Sequence, residues 1–136
     1  MSDDKPQSYE DWISWRMQRG GWLGVDLDGT LAEYHGWVDS WHIGPPVPAM
    51  LARVKAWLEK GYDVRIVTAR VSFQGLIESW GYDASEVRAA ITRWLIEHVG
   101  RSLPITHEKD MAMIELWDDR AVQVIPNTGL RADGKP

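Results

Sequence analysis

The chain contains no cysteine, which excludes disulfides and thiolate metal sites and fits, without requiring, a reducing compartment. No apolar run is long enough to span a bilayer and no secretory hydrophobic core heads the sequence, so a cytoplasmic protein with no membrane partner is expected. Positive charge is also scarce. With 15 Lys and Arg against 20 Asp and Glu the net charge is −5, which offers no general attraction to a polyanion. Internal repeats and low-complexity segments are missing too. What is plentiful is tryptophan, nine in 136 residues. Most of these are expected in the core or between helices, with a minority left for a binding surface or a subunit contact, so a homo-oligomer stays open. The length suits one domain with a real core.

The stretch around which the chain is organised is Gly21-Trp22-Leu23-Gly24-Val25-Asp26-Leu27-Asp28-Gly29-Thr30. Leu23 and Val25 form a short apolar run of the kind found in buried parallel strands, and Asp26 stands where that strand should end. In open α/β sheets, ligands sit outside the carboxyl ends of the strands. Asp26 and Asp28 share a face if the chain stays extended. Two carboxylates so close repel each other, and a divalent cation such as Mg²⁺, which favours hard oxygen ligands, would relieve that. A carboxylate can also attack phosphorus while a neighbour moves the proton. Gly29 permits a sharp turn and close approach to a ligand, and Thr30 adds a hydroxyl. The bland alternative is an ordinary acidic turn, since Asp-Gly is a common turn pair.

Taken in order, Met1–Gln7 reads as a disordered start and Ser8 as the cap of a packing helix over Tyr9–Gln18. After Thr30 comes an irregular aromatic stretch with Tyr34, His35, Trp37, Trp41 and His42, closed by Gly44-Pro45-Pro46. Its place directly after the acidic turn makes it a candidate flap, with Trp37 and Trp41 as candidate substrate contacts. Pro48–Lys60 is the clearest helix, stopped by Gly61. Val64–Val67 follows as a strand that ends in Thr68-Ala69-Arg70, where a hydroxyl, a backbone and a guanidinium suit phosphate. Helices are expected over Ser72–Trp80 and Ala84–Val99, and short strands over Leu103–Thr106, Met113–Trp117 and Ala121–Ile125. Lys109 precedes the fourth strand, and Asp118-Asp119 follows it.

Alternating strands and helices imply right-handed crossovers and a parallel sheet, which brings the strand ends to one edge. That edge then carries Asp26 and Asp28, Thr68, and Asp118 and Asp119. Three polar strand ends with complementary chemistry make a site.

Asp26-Leu27-Asp28-Gly29-Thr30, Thr68, Lys109 and Asp118-Asp119 resemble, in order, the four motifs of the haloacid dehalogenase-like phosphatase superfamily, over about Leu23–Ile125. The resemblance implies a Rossmann-like three-layer α/β/α fold with about five parallel strands ordered 5-4-1-2-3. It implies an N-terminal segment over residues 1–20, a catalytic core over 21–126 and a flexible tail over 127–136. By that resemblance Asp26 is the nucleophile that takes the phosphoryl group. Asp28 protonates the leaving group and then activates water. Thr68, Ala69, Lys109 and Gly29 hold phosphate, and Mg²⁺ is bound by Asp26, the Asp28 backbone, Asp118 and Asp119. Only Leu31–Val47 separates the first motif from the next helix, which leaves no room for a large cap. Between Lys109 and Met113 there is space for a single turn where the family usually has a helix, and His107 is a candidate stand-in for the lysine.

The expected activity is Mg²⁺-dependent hydrolysis of a small phosphomonoester, with nucleotides ahead of sugars. Arg70, Ile91-Thr92-Arg93-Trp94 and Trp117-Asp118-Asp119-Arg120 are also similar to the phosphatase half of phage-type polynucleotide kinases, which makes 3′-phosphorylated nucleic-acid ends the runner-up. Arg65, Arg70, Arg88 and Arg93 are the residues from which a local basic patch would be built. A third reading, of another class, is a non-catalytic module that binds Mg²⁺ and phosphate.

Overall fold

A computed structural model of the chain describes residues 6–72 and 80–136. Among the described residues three helices, α1 (Tyr9–Met17), α2 (Pro48–Glu59) and α3 (Ala84–His98), combine with four strands, β1 (Trp22–Asp26), β2 (Val64–Val67), β3 (Ile105–Thr106) and β4 (Met113–Trp117). The fold is α/β. Its sheet is ordered β3-β2-β1-β4 and every pairing is parallel. The described residues form no closed barrel. Most of the expected helix over Ser72–Trp80, and most of the disordered start at Met1–Gln7, lie outside the described residues.

Local chemistry sets the element boundaries. Ser8 caps α1 by accepting a hydrogen bond from the Asp11 amide, and Asp83 caps α3 by accepting from the Ser85 and Glu86 amides. Pro48 opens α2 at its first turn, where its missing N–H costs nothing. Central strand β1 is buried from Trp22 to Val25, and its middle residue must be small. A Cβ on Gly24 would lie 3.0 Å from Val67 Cγ2 and 3.2 Å from both Met113 and Trp22.

Helices α2 and α3 cover one face of the sheet. Met50 and Val54 from α2, and Val87, Ile91 and Leu95 from α3, share a core with Val25, Val64 and Ile66. Trp57 of α2 meets Trp117 of β4 edge to face at 5.4 Å. Helix α1 is tied to β4 and the turn before it, where Tyr9 donates to Glu115 and Arg16 to the Met111 carbonyl. A second helical layer, expected from the sequence, is not seen among the described residues. The β3–β4 connection holds only a turn and is too short to carry a helix.

The fifth strand also differs. Among the described residues Ala121–Ile125 does not join the sheet; Val124 makes one antiparallel bridge to Arg131 instead. Asn127 and Gly129 adopt φ of 67° and 74°, which reverses the chain, and the Ile125 amide then bonds the Leu130 carbonyl. The local loop pairs the backbone of this stretch and leaves its apolar side chains half in water, with Val122 and Val124 each 49% exposed. The C-terminal residues, expected to be loose, are thereby tied back on themselves. No described helix is long and apolar enough to cross a membrane.

Candidate functional site

At the end of β1 the chain turns sharply. The amides of Leu31 and Ala32 return to Asp26 and Leu27 carbonyls, and Gly29 sits at φ 91°. Gly29 is needed twice over. Its φ is one that L side chains avoid, and a Cβ there would collide with the Asp119 carboxylate. The turn therefore packs directly against the end of β4.

Asp26, Asp118 and Asp119 converge at this point, each offering an oxygen within 4.8 Å of the others. Thr30 ties the group together. Its hydroxyl lies 3.2 Å from Asp26 Oδ2 and 3.4 Å from Asp119 Oδ1, and it accepts from the Asp119 amide at 3.1 Å. Burial pushes the Asp26 carboxyl up to about 7, reinforced by its hydrogen bond to Asp119 and the charge of Asp118. The Thr30 hydroxyl pulls the other way. Three hard carboxylate oxygens crowded until one resists ionisation form a donor set that fits a divalent cation.

Asp28 behaves differently from Asp26. The chain does not stay extended past β1, and the Asp28 carboxylate lies outside the acidic cluster. Instead it accepts two hydrogen bonds from Arg70, from Nε at 2.7 Å and from Nη2 at 2.9 Å. Arg70 belongs to a single 3₁₀ turn, Ala69–Val71, whose N-cap is Thr68. Its side chain is 5% exposed, and that of Asp28 is 18% exposed. Arg70 Nη2 also donates to the His42 carbonyl at 3.0 Å, while Nη1 is buried with no acceptor among the described residues. The guanidinium is covered on one side by Trp37, with its carbon 4.8 Å from the ring centroid.

The segment after Thr30 runs out and back. Its neck is closed by Glu33 bonding to Pro45 and by Val47 bonding to Leu31. Trp94 of α3 holds it by donating to the Gly44 carbonyl at 2.9 Å. Its tip bears on the site through Tyr34 and Trp37.

All of this surrounds a cavity of about 540 Å³. Asp26, Asp28, Thr68, Ala69, Arg70 and Asp119 line it together with Trp37, as the sequence suggested. Tyr34, Trp80 and Arg120 also line it, and sequence reasoning did not assign them to a site. Tyr34 was visible as part of the aromatic flap, and Arg120 as the residue after the acidic pair. Trp80 gave no signal, because it closes a stretch whose spacing reads as a packing helix. Asp118 joins through the acidic cluster.

Three residues named from the sequence are elsewhere. Lys109 is exposed and does not line the cavity, since the short turn before β4 leaves it near the strand start rather than its end. His107, its stand-in, is also absent from the lining and lies 3.7 Å from Glu108. Trp41 points away from the cavity and stacks on Arg93 at 5.1 Å.

The arrangement defines an α/β protein with an acidic, cation-compatible centre at the strand ends and a fixed guanidinium beside it. No family model matches the chain, and no curated protein or solved structure matches it.

Proposed function

We propose that this protein is a divalent-cation-dependent phosphomonoesterase, with Mg²⁺ as its metal, acting on a small phosphorylated metabolite such as a nucleotide. The observation that carries the reading is the convergence of Asp26, Asp118 and Asp119 at the ends of two adjacent parallel strands, with Asp26 and Asp119 on a cavity that Thr68 and Arg70 also line. The parallel order β3-β2-β1-β4 supports the haloacid dehalogenase-like reading, while the five-stranded sheet which that resemblance implies is not formed among the described residues.

In this reading Asp26 is the nucleophile. One of its oxygens attacks phosphorus in line, forming an aspartyl-phosphate as the bond to the leaving oxygen breaks. Asp28 supplies the proton to that oxygen and then takes one from the water that cleaves the aspartyl-phosphate. Both Asp28 oxygens accept from Arg70, so one of those bonds must give way for Asp28 to carry a proton. In this reading the Thr68 hydroxyl and neighbouring backbone hold phosphoryl oxygens, and Arg70 Nη1, which has no acceptor among the described residues, is a donor that such an oxygen would satisfy. Lys109 does not line the cavity, so this reading gives it no role in the chemistry. The metal, held by Asp26, Asp118 and Asp119, would neutralise charge on the phosphate.

The arginines bear on the nucleic-acid alternative. Arg65 pairs with Asp63, Arg70 with Asp28, Arg88 donates to the Ile105 carbonyl, and Arg93 stacks on Trp41. Each is engaged separately, and they do not build the continuous stripe that tracks a phosphate backbone. A small substrate is favoured.

The experiment is phosphate release from an aryl phosphate and from a panel of nucleotides, sugar phosphates and a 3′-phosphorylated oligonucleotide, with Mg²⁺ or with chelator. Release is expected only with metal, falling at least ~1,000-fold in Asp26→Asn, which lacks the attacking oxygen. Silence across the panel would overturn the phosphatase reading and leave a binding module.

A further inference from the structure

The acidic centre occupies only part of the cavity; the rest is walled by aromatic rings. Tyr34 and Trp37 come from the segment after Thr30, and Trp80 from the chain ahead of α3. They differ in how they are held. Trp37 is fixed: Arg70 covers one side of its ring, Tyr82 packs on it edge to face at 5.6 Å, and its indole N–H lies 3.3 Å from the Tyr82 hydroxyl. Tyr34 and Trp80 are 44% and 68% exposed. Large aromatic surface left open to water inside a concave site is surface that a ligand can cover with gain.

We propose that Tyr34, Trp37 and Trp80 form a subsite for the base of a nucleoside monophosphate, with its phosphate at Asp26 and Thr68. The inference rests on the phosphomonoesterase reading for the position of the phosphate, but the ring subsite stands on its own geometry. Flat π faces favour a planar heterocycle, whose own π face stacks on them. The volume, about 540 Å³, is in the range of small-molecule sites and takes phosphate, sugar and base together. A phosphate with a single small ring would leave much of that space to water. Net charge of −5 and separately engaged arginines favour a single nucleotide over a strand.

Adenosine 5′-monophosphate and ribose 5-phosphate present the same ester with and without the base. Phosphate release from the two is compared in Mg²⁺ for the full chain, Trp80→Ala and Tyr34→Ala, and adenosine is titrated calorimetrically in the same buffer. The kcat/KM ratio of nucleotide to sugar phosphate is expected to be on the order of ten in the unmodified protein. It should fall toward one in either variant, with adenosine binding weakened on the order of tenfold. Trp80 is mostly exposed, so its removal spares the fold. A ratio near one in the unmodified protein, or one unchanged by both variants, overturns the subsite while leaving the phosphatase reading intact. If no ester is hydrolysed the phosphatase reading falls, and adenosine binding decides the subsite. Binding lost in Trp80→Ala upholds it; no binding by the unmodified protein ends it.

Discussion

Asp26 and Asp28 lie two residues apart and serve opposite electrostatic purposes. Asp26 is held among other carboxylates and resists ionisation, whereas Asp28 faces a cation. A carboxyl raised in the folded state to about 7 destabilises the fold as it ionises. Its contribution is neutral below the unfolded value, near 4, and the cost grows until it is complete above about pH 7. In chelator, Asp26→Asn is therefore expected to be more stable than the unmodified protein at pH 8, with the difference shrinking toward pH 4. Urea denaturation at the two pH values checks this, and an equal difference at both would contradict it. Arg70 presents the converse case. Removing one partner of a largely buried pair leaves the other charged and desolvated. Arg70→Met should cost about 3 kcal/mol, read from the urea midpoint. Adding Asp28→Asn to Arg70→Met should recover part of that loss, because the two positions are coupled.

At the scale of elements, burial decides which segments matter to stability. Ile91 of α3 is fully buried between the helices and the sheet, and Ile91→Ala should cost about 3 kcal/mol in urea denaturation. Val122 has the same apolar character in the sequence but half its surface in water, and Val122→Ala should stay within about 0.5 kcal/mol. That contrast also explains what the sequence could tell. The boundaries of α2 and α3 were legible from apolar spacing with Pro48 and Gly61 at the ends, and β2 and β4 from short apolar runs that stop at polar residues. Ala121–Ile125 carries the same kind of run, yet Asn127 and Gly129 turn it back on itself, a choice made by turn geometry that periodicity does not encode. The site divides in the same way. Asp26, Thr68 and Asp119 were legible because strand ends have a fixed place in this architecture. The place of Lys109 off the cavity lining was not legible, because its distance from the strand end depends on how one short turn is folded. Trp80 reaches the cavity only through tertiary structure.

For the molecule as a whole, the distribution of charge separates two kinds of substrate. A protein that grips a nucleic-acid strand releases counterions from several phosphates, so its affinity falls steeply with salt, by roughly 1,000-fold or more between 50 and 200 mM for six or more contacts. This chain carries a net charge of −5, and Arg65, Arg70, Arg88 and Arg93 are spent singly on Asp63, Asp28, a backbone carbonyl and a tryptophan ring. Of the two arginines that line the cavity, Arg70 is paired with Asp28 and adds little net field of its own, and Arg120 follows the acidic pair Asp118-Asp119. A single phosphomonoester meeting such a site engages local donors and the aromatic wall, neither of which salt screens strongly. Over the same salt range, kcat/KM for a nucleoside monophosphate should therefore change by less than about threefold. The 3′-phosphorylated oligonucleotide should not be hydrolysed more efficiently than the mononucleotide at any salt concentration. Steady-state phosphate release at four salt concentrations, with both substrates and fixed Mg²⁺, measures this. A steep fall confined to the oligonucleotide, together with the higher kcat/KM for it at low salt, would place strand ends ahead of nucleotides despite the acidic surface.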